Sequence, residues 1–234
     1  MIVDGHHHVF PFLGGASGFP SAEDHTRLLQ RHFTTHNQGA RRVSDNVLVM
    51  EPTLWDGKTP GYDGLLDVGF RVGRFGRFEW EKDGVAYYMQ WLPPHLEENA
   101  ASPERMLAQM QYLGVDRALL QRGYLYGLID EWLAEIVRRH PDKLRGCLCV
   151  DESQLQAESE IVHLQRCVRE LGLSALYMDN DRFWSGAQGA DFGAAPYVPF
   201  WEAVQELGIP VLWDIRFVQR RTLAAYLGEE AGHG

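Results

Sequence analysis

The stretch Ile2-Val3-Asp4-Gly5-His6-His7-His8 decides the expected fold of this chain. Its apolar start is typical of a short buried strand, and the strand runs directly into three histidines. In parallel α/β folds the active site lies at the carboxyl ends of the strands. Histidines in this position are therefore candidate site residues, and the rest of the chain decides whether the fold is of that kind.

Strand and helix patterns alternate about five times along the chain, most regularly after residue 101, and such alternation indicates parallel strands joined by crossover helices. A doubly wound sheet and a TIM barrel both fit this periodicity. The predicted strands are 117–121, 146–150, 173–178 and 209–213, and the predicted helices are 102–113, 129–140, 154–171, 200–207 and 219–227.

Residues from about 10 to 100 form an irregular excursion that is rich in glycine, proline and aromatic side chains. A helix is predicted over 21–36, with Ser21 as its cap. A β-hairpin is predicted over 78–91, because Asp83-Gly84 is a favoured two-residue turn. Packing of the excursion onto the α/β barrel is the favoured role of its aromatic side chains, and a lid over an aromatic or cyclic substrate is the alternative. They are Trp55, Phe78, Trp80, Tyr87, Tyr88 and Trp91.

Composition places the chain among soluble globular proteins, with 45% hydrophobic and 23% charged residues. Its 234 residues suit one domain over 1–234. The net charge of −10 argues against nucleic acid as a partner and weakly against an anionic membrane. No signal-like or membrane-spanning stretch is found, and the three cysteines give no disulfide framework, so a cytoplasmic location is expected.

The spacing of His6 and His8 is the strongest chemical signal in the sequence. Alternate residues of a strand point to the same face, so both imidazoles can bind one metal ion. Two imidazoles suit zinc, iron, nickel or copper. The alternatives are a pair of ordinary hydrogen-bonded histidines and, given less weight, the remnant of a purification tag.

Polar residues also follow each later predicted strand. Arg122 and Arg216 are the catalytic candidates, because a guanidinium there can bind a substrate carboxylate through paired hydrogen bonds. A surface arginine or an internal salt bridge is the alternative for each. Asp214 ends the last predicted strand and is a candidate metal ligand, whereas His140 and His163 fall on predicted helices and are expected at the surface.

An ordered set of segments resembles the amidohydrolase superfamily, in its amidohydrolase-related branch. That branch includes aminocarboxymuconate-semialdehyde decarboxylase, resorcylate-type decarboxylases and pyrone-dicarboxylate lactonase. The opening strand is joined by Gly114-Val-Asp-Arg-Ala-Leu-Leu120, His140-Pro-Asp-Lys-Leu-Arg-Gly146 and Phe200-Trp-Glu-Ala-Val-Gln-Glu-Leu-Gly-Ile-Pro-Val211. The resemblance runs from Met1 to Leu227 and is weak over the excursion.

The resemblance implies a (β/α)8 barrel with one divalent metal, zinc or manganese, bound by His6, His8, a fifth-strand histidine and a late aspartate. Asp214 occupies the fifth-strand position and brings a hard oxygen that favours manganese or magnesium. About five βα units are expected here, with the family's later strands and their catalytic residues lacking.

The predicted function is a metal-dependent hydrolase or decarboxylase that acts on a small, cyclic or carboxylated substrate. A metal-independent lactonase-like hydrolase and a non-catalytic remnant or subunit are the alternatives. The oligomeric state is left open, with a homo-oligomer among the options.

Overall fold

The computed structural model of the chain describes residues 1–34, 39–59, 61–179, 183 and 191–214. The chain forms two compact units. Unit 1 contains Met1–His8, Leu107–Tyr124 and the described residues from Asp130 onward, and unit 2 contains Val9–Met106 and Leu125–Ile129.

Helices and strands of the described residues are numbered in chain order. None of these helices is both long enough and apolar enough to cross a membrane. The elements are β1 (Val3–His7), α1 (Ala22–Thr34), β2 (Ala40–Arg42), β3 (Leu48–Val49), β4 (Arg71–Val72), β5 (Arg77–Lys82), β6 (Val85–Gln90), α2 (Pro103–Leu113), β7 (Arg117–Leu120), α3 (Asp130–Arg139), β8 (Leu144–Leu148), α4 (Glu158–Arg169), β9 (Ala175–Asp179), α5 (Val198–Leu207) and β10 (Val211–Asp214).

Unit 1 is built on a five-stranded sheet in the order β1-β7-β8-β9-β10. Every neighbouring pair in it is parallel. The helices α3, α4 and α5 follow β7, β8 and β9 respectively, so the predicted βα alternation is confirmed. In α3, buried side chains recur at the spacing of one helix face, which explains why this segment packs as a helix; they are Leu133, Ala134, Ile136 and Val137.

The helix predicted over 154–171 is shorter than expected. A short 3-10 turn, Glu152–Gln154, precedes it, and the side chain of Asp151 accepts a hydrogen bond from the backbone N–H of Ser153. Asp151 thus caps this separate turn, and α4 begins only at Glu158, after Ala157. The helix predicted over 219–227 lies outside the described residues.

Unit 2 contains a five-stranded antiparallel sheet in the order β3-β2-β6-β5-β4. The predicted hairpin is confirmed as β5 and β6, and both turn residues have positive φ, 53° at Asp83 and 73° at Gly84, as a two-residue hairpin turn requires. The backbone N–H of Asp24 donates to Ser21 Oγ at 3.0 Å, which confirms the predicted cap of α1. The predicted end of that helix, His36, lies outside the described residues.

The excursion contains a sheet of its own, of which only the hairpin β5–β6 was predicted, while most of its described residues lie outside helices and strands. The strand pairs β2–β3 and β4–β5 were not predicted. Each pair joins only two residues per strand, which is too short for an alternating pattern. Phe78 and Trp80 are almost fully buried inside unit 2, and the ring of Phe78 packs on Phe33 at 4.6 Å. The lid interpretation is wrong for these two side chains, because a buried ring has no surface to offer a substrate.

Candidate metal centre

One face of the unit 1 sheet carries the polar residues of the strand ends. A buried layer on this face contains Cys147, Cys149, Ala175 and Tyr177, with Leu119 and Leu212 packed against it. Residues two apart along a strand share a face. The next layer toward the carboxyl ends of the strands therefore contains Asp179 and Asp214, which lie opposite each other.

The two predicted histidine ligands come together at the end of β1. His6 Nε2 lies 2.8 Å from His8 Nε2, and the two rings meet edge to face. Two nitrogens that bind one ion at about 2.1 Å each lie roughly 3.0–3.4 Å apart. The pair is thus within a few tenths of an ångström of chelating geometry, and a divalent metal fits these donors.

Hydrogen bonding sets which nitrogen of His8 is available to a metal. His8 Nδ1 donates to the backbone carbonyl of Gln121 at 2.9 Å, which leaves the lone pair on Nε2. Burial lowers the pKa of His8 to about 4, and the Gln121 carbonyl opposes this only in part. His8 is therefore a neutral imidazole near pH 7, which is the form that binds metal.

The backbone beneath the histidines is irregular, and polar contacts hold it. The pairing of β1 with β7 shifts register between Asp4 and His7. Asp4 Oδ1 accepts from the backbone N–H of His6 at 3.0 Å, and the other oxygen, Oδ2, lies 2.9 Å from His7 Nδ1. The two side chains that strand alternation predicted to meet do lie together, next to this irregularity of β1.

Asp214 lies at the end of β10, and its carboxylate Oδ2 accepts a hydrogen bond from the hydroxyl of Tyr177 at 2.7 Å. The charge of Asp214 acts on His8 and opposes the fall of its pKa, as a minor cause among several. Within the described ranges, however, Asp214 does not belong to any group of three ligand atoms that lie within 4.8 Å of one another.

Arg122 lies in a buried ion pair. Its Nε and Nη2 donate to the two carboxylate oxygens of Asp130 at 3.0 and 2.7 Å, and the two side chains are 1% and 4% exposed. The contact joins the end of β7 to the start of α3. This is the salt-bridge alternative weighed for Arg122, and the substrate-binding role remains a prediction that this geometry does not favour, because Asp130 occupies the fork of the guanidinium.

His163 also contacts this ion pair, although its side chain is 33% exposed, so the expectation of a surface histidine is met only in part. Its Nε2 lies 3.2 Å from Asp130 Oδ2 and 3.2 Å from the carbonyl oxygen of Cys149. Sequence periodicity placed His163 on α4 correctly but gave no sign of Asp130, which lies on another helix.

Among the described residues, Asp130, His163 and Cys167 are the group whose potential ligand atoms lie within 4.8 Å of one another. Two features argue against a metal ion there. The guanidinium of Arg122 already supplies a cation to Asp130. Burial raises the pKa of Cys167, which favours the thiol over the thiolate that a metal needs.

The hydrogen bond to Asp130 raises the pKa of His163 to about 10, so the histidine is charged at neutral pH. Because the pKa of His163 is higher in the folded protein than in the unfolded chain, its charge stabilises the folded state. This stabilisation is complete below pH 6.5, the pKa in the unfolded chain, and is lost as pH rises to the folded-state pKa. We expect the difference in unfolding free energy between wild type and His163→Gln to be constant at low pH and to shrink between pH 6.5 and about 10. Urea denaturation across this range measures it, and a gap that stays constant to pH 10.5 would contradict the assigned charge.

The remaining predicted residue, Arg216, lies outside the described residues. Tyr177 was not predicted as a site residue. The alternation of β9, in which Tyr177 and the strand-end residue Asp179 share a face, is the signal that points to it.

The chain is similar to known proteins in sequence and in structure. A model of the Amidohydrolase family matches residues 3–225. The gamma-resorcylate decarboxylase of Polaromonas sp. (strain JS666) is 36% identical over 84 residues, which are 35% of this chain and 24% of that protein. Two solved structures are also similar: dihydroxybenzoic acid decarboxylase from Polaromonas sp. JS666, with bound manganese and an inhibitor (TM-score 0.45, 23% identity), and 2,6-dihydroxybenzoate decarboxylase from Rhizobium (TM-score 0.46, 18% identity).

The chain belongs to the Amidohydrolase family, since the family model spans nearly all of it. The five parallel strands and their helices are accordingly those of a TIM-type barrel, which confirms the predicted fold class. The two structural alignments cover 55% of this chain and 43% and 44% of the neighbours, so the chain spans less than half the length of the proteins it matches.

Proposed function

We propose that unit 1 carries the metal centre of a metal-dependent decarboxylase or hydrolase that acts on a small, cyclic, carboxylated substrate. The observation that carries this proposal is the pair of Nε2 atoms of His6 and His8, 2.8 Å apart, with His8 held in the metal-binding tautomer. The partial identity to gamma-resorcylate decarboxylase supports decarboxylation of a hydroxybenzoate as the first reaction to assay.

The metal, when bound, supplies a Lewis acid that activates water or polarises a substrate oxygen. His6 and His8 hold it, and Asp214 is the proposed third ligand. A carboxylate in place of an imidazole favours manganese over zinc. Arg216 is kept as the proposed partner of the substrate carboxylate, and we assign Arg122 to holding α3 in place through Asp130.

Elemental analysis of purified, tag-free protein grown with zinc and manganese tests the proposal. We expect about one divalent ion per chain in the wild type and none in the His6→Ala/His8→Ala double variant. The matched control is His163→Gln, which removes a histidine from the other cluster of potential ligands and is expected to keep the metal.

If His163→Gln lost the metal and the double variant kept it, the ion would bind at Asp130, His163 and Cys167, and the proposal would be contradicted. Absence of metal from all three proteins, combined with chelator-insensitive turnover of a substrate, would favour the metal-independent hydrolase instead.

The chain is proposed to work as one barrel domain with unit 2 as an insertion, which the family match over residues 3–225 supports. A cytoplasmic location is proposed because Cys147, Cys149 and Cys167 are free and buried, as is usual in a reducing compartment. Association into a homo-oligomer stays a prediction.

A further inference from the structure

We propose that Tyr177 is a positioning residue for the metal centre, and that its hydroxyl fixes one oxygen of the Asp214 carboxylate so that the other oxygen is the one that binds an ion held by His6 and His8. This inference rests on the proposed function, because it requires Asp214 to be a ligand. Tyr177 itself touches neither the metal nor the substrate in this assignment.

The hydrogen bond between the two side chains is short and is anchored at both ends. The hydroxyl of Tyr177 donates to Asp214 Oδ2 at 2.7 Å. Tyr177 lies on β9 opposite Leu212 of β10, and Asp214 lies opposite Asp179, so strand pairing fixes the backbone of both partners. Tyr177 is 4% exposed, and its ring belongs to the buried layer with Cys147, Cys149 and Ala175.

An aspartate carboxylate turns readily about the bond between Cβ and Cγ. A donor fixed on Oδ2 removes that freedom and sets the direction in which the second oxygen, Oδ1, points. Partners of this kind orient metal ligands, and their loss weakens metal binding by about 10- to 100-fold. The role matters more here because a single carboxylate takes the place of the histidine expected from the family resemblance.

A purely structural role is the competing explanation, since a buried tyrosine hydroxyl needs a hydrogen-bond partner in any protein. That role predicts a loss of stability and no specific effect on metal affinity. Metal affinity measured apart from turnover therefore separates the two explanations.

The experiment measures the dissociation constants of Mn²⁺ and Zn²⁺ by competition with a chelating dye, for wild type, Tyr177→Phe, Asp214→Ala and the double variant. We expect Tyr177→Phe to bind Mn²⁺ about tenfold more weakly. The double variant is expected to match Asp214→Ala, because the hydroxyl then has no carboxylate to orient. Tyr197→Phe is the matched control, since it removes the hydroxyl of another buried tyrosine in unit 1 and is expected to keep wild-type affinity.

The outcomes separate this inference from the proposed function. If wild type and Asp214→Ala bind metal equally well, or wild type binds none, Asp214 is not a ligand, and the inference is overturned together with that assignment. If Asp214→Ala weakens binding while folded Tyr177→Phe keeps wild-type affinity, the metal site stands and the positioning role alone is wrong. Melting curves show that each variant is folded before its affinity is compared.

Discussion

Replacing Arg122 by methionine is expected to lower the free energy of unfolding by about 3–5 kcal/mol, the usual result of removing one partner of a buried ion pair. The carboxylate of Asp130 is 4% exposed and accepts two hydrogen bonds from the guanidinium. Burial raises the pKa of Asp130, but the charges and hydrogen bonds of Arg122 and His163 outweigh this and lower it. Without Arg122, the buried carboxylate of Asp130 loses the guanidinium that donates two hydrogen bonds to it. Urea denaturation at pH 7 measures the loss.

Arg166→Met is the matched control for this variant. Arg166 also forms an ion pair with an acidic residue of α3, Glu131, but the two side chains are 41% and 61% exposed. Exposed pairs contribute about 0–1 kcal/mol, so this variant is expected to stay close to wild type. Equal and small effects of both substitutions would mean that the buried pair does not form.

Truncating Phe78 to alanine is expected to cost about 3–5 kcal/mol, because removal of a fully buried aromatic ring leaves a cavity. Phe78 is 0% exposed, and its ring packs against those of Phe33, Phe70 and Trp91, at 4.6, 6.0 and 6.0 Å between centroids. Urea denaturation gives the free-energy change, and faster hydrogen exchange along β5 and β6 would locate it in unit 2.

Phe75→Ala provides the comparison within the same unit. Phe75 is 47% exposed, and substitutions at exposed positions usually change stability by about 0.5 kcal/mol or less. If Phe78→Ala were as mild as Phe75→Ala, the aromatic cluster would not be the core of unit 2.

Sequence patterns predicted the parts of the fold that depend on near neighbours. The βα alternation of unit 1, the cap at Ser21 and the turn at Asp83-Gly84 each lie within a short stretch, and each is present. The sheet of unit 2 was largely missed, because strands of two or three residues carry too few side chains to display an alternating pattern. The start of α4 was predicted four residues too early, because a separate 3-10 turn, Glu152–Gln154, precedes the helix.

In the candidate site, too, contacts within one short segment were predictable, and contacts between separate strands or helices were not. The meeting of His6 and His8 was predictable, because alternation within one short segment brings both side chains to the same face. The contacts of Tyr177 with Asp214 and of His163 with Asp130 cross from one strand or helix to another. Register between strands and the packing of helices decide such contacts, and a single sequence does not contain them in any local pattern. Arg122 illustrates the limit, because its position at a strand end suited both a substrate contact and an internal salt bridge.

Most of unit 2, Val9–Met106, lies between β1 and β7 in the chain, and the two ends of this segment meet. The backbone N–H and carbonyl groups of Phe10 and Ala101 exchange two hydrogen bonds, at 3.0 and 2.9 Å. Once this bridge has formed, the loop that folding must close to pair Val3 with Arg117 shrinks from about 114 residues to about 23. Because the entropy of loop closure grows with the logarithm of length, the saving is about 1.4 kcal/mol. If the bridge between Phe10 and Ala101 forms first, the long intervening segment therefore adds little entropic cost to pairing β1, the strand that leads to His6 and His8, with β7.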